Sequence, residues 1–130
     1  MFVVMLATLT LAAGPTANWQ LLFRDPAQGS VYVDRASVWT RGAERAVTAR
    51  FTFDRPAATE VAEIITRIEV DCADRSFRSR TATAFDRNGA EIYGYEFDAG
   101  RPATRANPAG PASRLVAMVC SPAAANPGSP

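Results

Sequence analysis

The stretch Ser76–Phe97, SFRSRTATAFDRNGAEIYGYEF, decides the fold. On either side of Asp86-Arg87-Asn88-Gly89-Ala90 the residues alternate with the period of two expected of strands, and not with helical spacing. The connector has Asp at the first turn position, Asn at the third and Gly where a positive φ is needed, the pattern of a type I turn followed by a bulge. Asp86 should then oppose Ala90, and the register follows. Tyr93, Tyr95 and Phe97 face Thr83, Thr81 and Ser79, beside Phe77 and Phe85, while the other face pairs Ala82 with Gly94, Ala84 with Ile92 and Arg80 with Glu96. A one-residue slip would move the aromatics away from Phe77 and Phe85.

The chain before this hairpin reads the same way. Trp19, Leu21 and Phe23 share one face of a first strand, and Arg24 to Ser30 is a loop by its Pro and Gly. Val31 to Asp34 and Ser37 to Arg41 are two short strands around a tight turn, in which the Asp34 carboxylate accepts from backbone N–H groups two or three residues on. In Ala46 to Asp54, Val47, Ala49, Phe51 and Phe53 point inward and Thr48, Arg50 and Thr52 outward. Thr59 to Ile65 could begin as a helical turn, whereas Thr66 to Cys72 alternates cleanly. After the Pro- and Gly-rich loop Asp98 to Ala112, Ser113 can cap a short helix carrying Leu115, Val116 and Val119. The fold class is mainly β (α+β): an antiparallel sheet of about six strands with a short C-terminal helix packed on one face and one disulfide.

Two features set the compartment. Met1 to Gly14 (MFVVMLATLTLAAG) is an uncharged apolar run too short to span a bilayer, which fits the h-region of a secretory signal peptide cleaved after Ala17 or after Ala13. The alternative is a buried first element of the domain. Cys72 and Cys120 are the only cysteines, without the spacing of a metal knuckle or redox pair, and in an exported chain they read as one disulfide. Such a bridge is worth about 3 to 4 kcal/mol in the chain-entropy model. The expected organisation is a signal peptide over 1–17, one domain over 18–120 and a disordered tail over 121–130. No Cys closes the apolar run, so a lipoprotein anchor has no attachment atom; the protein should be periplasmic or secreted, with no transmembrane span.

The 130 residues hold 14 basic side chains, all Arg, against 13 acidic ones, and no His. Lacking His and Lys, the chain has no Ser-His or Cys-His nucleophile pair, no imidazole metal ligand, no Schiff base and no phosphate-loop lysine. Its net charge of +1 supplies no long-range field for nucleic acid. No cofactor or metal is expected. Asp86–Glu91 faintly resembles a calcium loop, but its Gly comes too early.

Carboxylates are the remaining catalytic option, and Glu69, Asp71 and Asp74 are the closest group, as a hydrolase acting on envelope glycans would need. A four-residue turn at Ala73 to Ser76 would instead pair Asp71 with Arg78 and Glu69 with Arg80, with Glu96 on Arg80's other side, a structural network of ion pairs. Arg67 and Arg75 are left over as candidates for binding. The outward face of the same hairpin is a smooth strip of Ala82, Ala84, Ile92 and Gly94; either a loop or the chain's own helix covers it, or, rimmed by arginine, it docks a partner protein or a second copy to form a homodimer.

Trp19, Tyr32-Val33-Asp34 with Ser37-Val38, Asp71-Cys72 with Arg75-Ser76-Phe77-Arg78, and the closing Cys120 together resemble the surface-adhesin protein E family of Gram-negative bacteria. The resemblance covers about residues 19 to 120. It implies an antiparallel sheet with a C-terminal helix held against it, and a non-catalytic binding role of the kind shown by an outer-membrane lipoprotein of that family, which binds host matrix proteins such as laminin and vitronectin. The family's ligand-binding segments do not map onto this chain residue by residue.

Overall fold

The computed structural model describes residues 17–26, 29–54 and 60–121. The proposed signal peptide, apart from Ala17, and the tail beyond Ser121 lie outside those residues. Six strands follow in chain order: β1 (Trp19–Asp25), β2 (Gly29–Arg41), β3 (Glu44–Phe53), β4 (Glu63–Asp71), β5 (Ser76–Phe85) and β6 (Glu91–Glu96). They pair in the order β1-β2-β3-β4-β5-β6, each antiparallel to its neighbour, so the sheet is a simple meander. A two-residue strand, β7 (Thr104–Arg105), adds to β5 at Ser76 and Phe77, and helix α1 (Pro111–Val119) follows. The antiparallel sheet, the single C-terminal helix and the Cys72–Cys120 bridge are those expected from the sequence.

The helix lies on one face of the sheet. Leu115, Val116 and Val119 bury against Val33, Val47, Ala49, Ile68 and Val70, whose alternation places them on that face. Two devices hold the helix there. The disulfide joins Cys72, in the β4–β5 turn, to Cys120 at the helix C-cap, with Cα atoms 5.6 Å apart. Arg45, reaching over from β3, donates through Nη1 to the carbonyls of Val119 (2.6 Å) and Ser121 (3.1 Å). The last turn of α1 has no basic residue of its own, so Arg45 supplies the cation that a helix C-terminus favours.

The helix begins two residues before Ser113. Pro111 takes the first position, where its missing N–H costs nothing, and Gly110 is the N-cap, with no side chain capping the end. The helical turn expected to begin at Thr59 is not present in its described part: 60–62 are irregular and from Glu63 onward the chain is strand, while Thr59 itself lies outside the described residues.

The expected turn at Asp34–Ser37 is an irregularity within one 13-residue strand. The register of β2 on β3 shifts between Asp34 and Trp39. The carboxylate works as anticipated, Asp34 Oδ1 accepting from the N–H of Ala36 (3.0 Å) and of Asn18 (2.8 Å). Ser37 Oγ donates to Asp34 O and accepts from the Thr48 N–H, which lets β2 resume pairing with β3 and keeps the two segments in one strand.

Bulges also overturn three face assignments. A shift between Leu21 and Phe23 leaves Trp19 and Leu21 opposite Asp34 and Tyr32 on the face away from the helix, and puts Phe23 beside Val31 on the helix face. In β5 the register on β4 changes between Ile68 and Arg67, with Arg80 as the extra residue. Phe77 therefore shares the helix face with Val70, whereas Phe85 opposes Glu63 on the far face. The turn at Asp86–Ala90 forms as read, with Gly89 at φ 78° and Asp86 Oδ1 accepting from Asn88 and Ala90. Beyond it, however, β6 slips by one residue between Phe85 and Ala84. Tyr93 consequently opposes Ala84, Tyr95 opposes Ala82, Gly94 opposes Thr83 and Glu96 opposes Thr81. The tyrosines keep the helix side of the sheet, and the small residues beside them are alanines instead of threonines.

Candidate binding surface

The smooth strip of Ala82, Ala84, Ile92 and Gly94 does not form. The two β5 alanines lie on the helix face, where Ala84 is fully buried, and Gly94 is on the opposite face with Thr83. A bulge reverses the faces of every residue beyond it, which a register derived from one turn could not include.

Of the three expected ion pairs, Glu69 with Arg80 forms among the described residues and the other two do not. The β4–β5 register sets Glu69 directly opposite Arg78 and Asp71 opposite Ser76. Glu69 lies between two guanidiniums: Oε2 is 2.9 Å from Arg78 and Oε1 is 3.0 Å from Arg80. Asp71 accepts from the Ala73 N–H and has no ion pair with Arg78, and Glu96 has none with Arg80 among the described residues. Arg78 also reaches the carbonyls of Ala99 and Arg101, tying the loop after β6 to the sheet.

Arg67 is not a free cation. Its Nη1 donates to Ser37 O (2.9 Å) and Thr48 Oγ1 (3.1 Å), bracing the irregular part of β2. Burial lowers its pKa below the usual arginine value, with Asp34 and Glu69 acting in the opposite sense. Arg75, by contrast, is exposed in the β4–β5 turn at φ 55°, held there through its carbonyl, which accepts from the Ala106 N–H.

Two hollows accompany the sheet. A polar depression of about 340 Å³ gathers Glu44, Glu69, Asp71 and Asp74 with Trp39 and Arg78. It brings together the three carboxylates considered for catalysis, but both oxygens of Glu69 are taken by arginines. An apolar cleft of about 320 Å³ opens beside the first turn of α1, walled by Phe23, Phe51, Phe53, Phe77, Ile68 and Leu115. It exists because α1 is only about 14 Å long, whereas the ten-residue strand β3 runs about 34 Å.

Of the six main strands, β6 is the most open. All six of its residues are exposed, and among the described residues it pairs with β5 alone. The Phe97 N–H donates to Arg80 O (2.9 Å), so by the alternation of an antiparallel ladder Tyr95 and Tyr93 also exchange bonds with β5. The main-chain N–H and C=O of Gly94 and Glu96 then point away from the sheet, where no strand meets them among the described residues. Tyr93 is 50% exposed, Tyr95 60% and Ile92 45%. Tyr95 packs edge-on against Phe97, their ring centres 4.8 Å apart, and Arg101 stacks over Phe97 at the same distance. Edges this open normally carry Lys, Pro or a covering element. Sequence reading missed the edge because the small residues drew attention to a face; the signal was the terminal position of EIYGYE in a meander, without Lys or Pro.

No helix among the described residues is long and apolar enough to cross a membrane. No curated protein and no solved structure matches the chain. The family model for surface-adhesin protein E matches residues 19–121, the whole span from the first residue of β1 to just past the bridged Cys120. With its meander, C-terminal helix and disulfide, this chain therefore belongs to the surface-adhesin protein E family.

Proposed function

We propose that the protein is an exported, non-catalytic binding domain of the bacterial envelope that engages a protein partner through the open edge of its sheet at β6. Family membership supports a surface adhesin-like binding role and an exported or surface location. The observation that carries the choice of site is the exposed strand Glu91–Glu96, with main-chain groups along one side that no strand meets among the described residues, and two half-exposed tyrosines. Strand addition to such an edge draws affinity from main-chain hydrogen bonds and specificity from alternate side chains. Tyrosine is also enriched among the residues that dominate binding energy at interfaces.

Immobilised laminin and vitronectin, the ligands implied by the family resemblance, provide the test. Wild-type protein should bind at least one of them, and a Tyr93→Ser, Tyr95→Ser double variant with an unchanged melting temperature should bind at least about tenfold more weakly. A folded double variant that binds as well as wild type rules out this edge as the adhesive site.

A further inference from the structure

The geometry of β6 points to the chemistry of its partner: we infer that the edge accepts an extended protein segment that alternates basic and apolar residues. This rests on the assignment of β6 as the binding edge.

The faces of β6 differ in character. On the helix side stand Tyr93 and Tyr95, opposite Ala84 and Ala82. The other side carries Gly94 and Glu96, opposite Thr83 and Thr81, and Glu91 folds over it: its Oε1 lies 3.2 Å from where a Cβ on Gly94 would sit. Glu91 and Glu96 have no ion pair among the described residues, although the chain carries as many as 14 arginines. Two unpaired carboxylates thus lie on one face of a strand whose free N–H and C=O groups belong to the residues of that same face.

An incoming strand must place its own residues opposite Gly94 and Glu96 to use those groups. Residues directly opposite share a face, so these two partner positions meet the carboxylates, and the positions between them meet the tyrosines. Lys or Arg at the first set and apolar side chains at the second satisfy both faces. A second copy of this chain fits less well. A twofold pairing centred on Gly94 brings together two Glu91 carboxylates, each lying over its own Gly94, and like charges across a ladder are unfavourable.

The probes are two capped seven-residue peptides, one alternating Lys and Val with Lys at both ends, the other with Glu in place of every Lys. Their affinities for the intact disulfide-bonded protein are measured by amide-resolved NMR titration. The Lys–Val peptide should bind at least about tenfold more tightly than the Glu–Val peptide, shift the Gly94 and Glu96 amides most, and weaken with added salt. A Glu91→Lys, Glu96→Lys variant should reverse the order of the two peptides. Gly94→Pro removes an outward-facing N–H, and its ring also displaces the Glu91 carboxylate, which lies 3.2 Å from that Cβ position; it should abolish binding of both peptides while the Tyr93 and Tyr95 amides keep their bonds to β5.

Equal affinities for the two peptides, or an order unchanged in the double Lys variant, overturn the inference. If Gly94→Pro nevertheless abolishes their binding, the edge is still the binding site and only its charge selectivity is wrong. Concentration-dependent dimers of the unmixed protein with β6 amides shifted would overturn it in favour of a second copy.

Discussion

Replacing Arg45 with Ala tests how the helix is fastened to the sheet. The side chain makes two charge-assisted hydrogen bonds to the carbonyls of Val119 and Ser121, at 2.6 and 3.1 Å. Hydrogen bonds to charged groups contribute about 1.5 to 3 kcal/mol, and a cation at a helix C-terminus adds about 0.3 to 1 kcal/mol. One offset is visible: Arg45 Nε is buried with no partner among the described residues, a cost the substitution removes. The net loss should be about 2 to 3 kcal/mol. In a domain of roughly 100 residues each kcal/mol moves Tm by about 4 to 8 °C, so a fall of about 10 to 20 °C is expected. Urea denaturation of oxidised wild type, Arg45→Ala and Arg45→Lys measures it directly, with exposed Arg41→Ala as the control, expected to lie within about 0.5 kcal/mol of wild type. Arg45→Lys retains a positive charge without the unpartnered Nε–H and should recover about half of the loss. An Arg45→Ala variant as stable as the Arg41→Ala control would show that the carbonyls at the end of α1 do not depend on this guanidinium.

Other substitutions follow from single observations. A Cys72→Ala, Cys120→Ala variant should lose about 3 to 4 kcal/mol in urea denaturation, because the bridge closes a loop across 48 positions. Gly29 sits at φ 140°, and a Cβ there would fall 1.9 Å from Thr52 O; Gly29→Ala should therefore cost about 2 kcal/mol or more, read as a lower melting temperature. Glu69→Gln leaves Arg78 and Arg80 without their shared carboxylate, but all three groups are about one-third exposed. The loss should stay near 1 kcal/mol and shrink further in 0.5 M salt.

What the sequence made legible was what depends on periodicity. Val47, Ala49, Ile68 and Val70 could be assigned to the core from alternation alone, and the turn at Asp86–Ala90 from its residue types. The lone pair of cysteines likewise announced the bridge. What escaped depends on bulges at Leu21–Phe23, Arg80 and Ile92, each an extra residue that flips the following alternation with no turn signal to mark it. Those flips moved Phe23 to the helix side, separated Phe77 from Phe85, and dissolved the alanine-glycine strip. They also took Glu96 away from Arg80, which leaves its carboxylate without an ion pair among the described residues, beside the open edge.

Arg67 shows a second kind of limit. Its partners, Ser37 O and Thr48 Oγ1, are 30 and 19 residues away, and one of them is a main-chain carbonyl exposed by the irregularity in β2. No local pattern reports such a bond. The cleft beside α1 is invisible in sequence for a related reason, since it arises from the mismatch between a nine-residue helix and ten- to thirteen-residue strands.

The role of β6 is tested most directly by hydrogen exchange of the intact protein with and without a bound matrix protein. Binding by strand addition should slow exchange of the Gly94 and Glu96 amides, which face outward, well beyond any change at the Tyr93 and Tyr95 amides already bonded to β5. Protection confined to the cleft beside α1 or to the far face around Trp19 and Tyr32, with Gly94 and Glu96 unchanged, would contradict it.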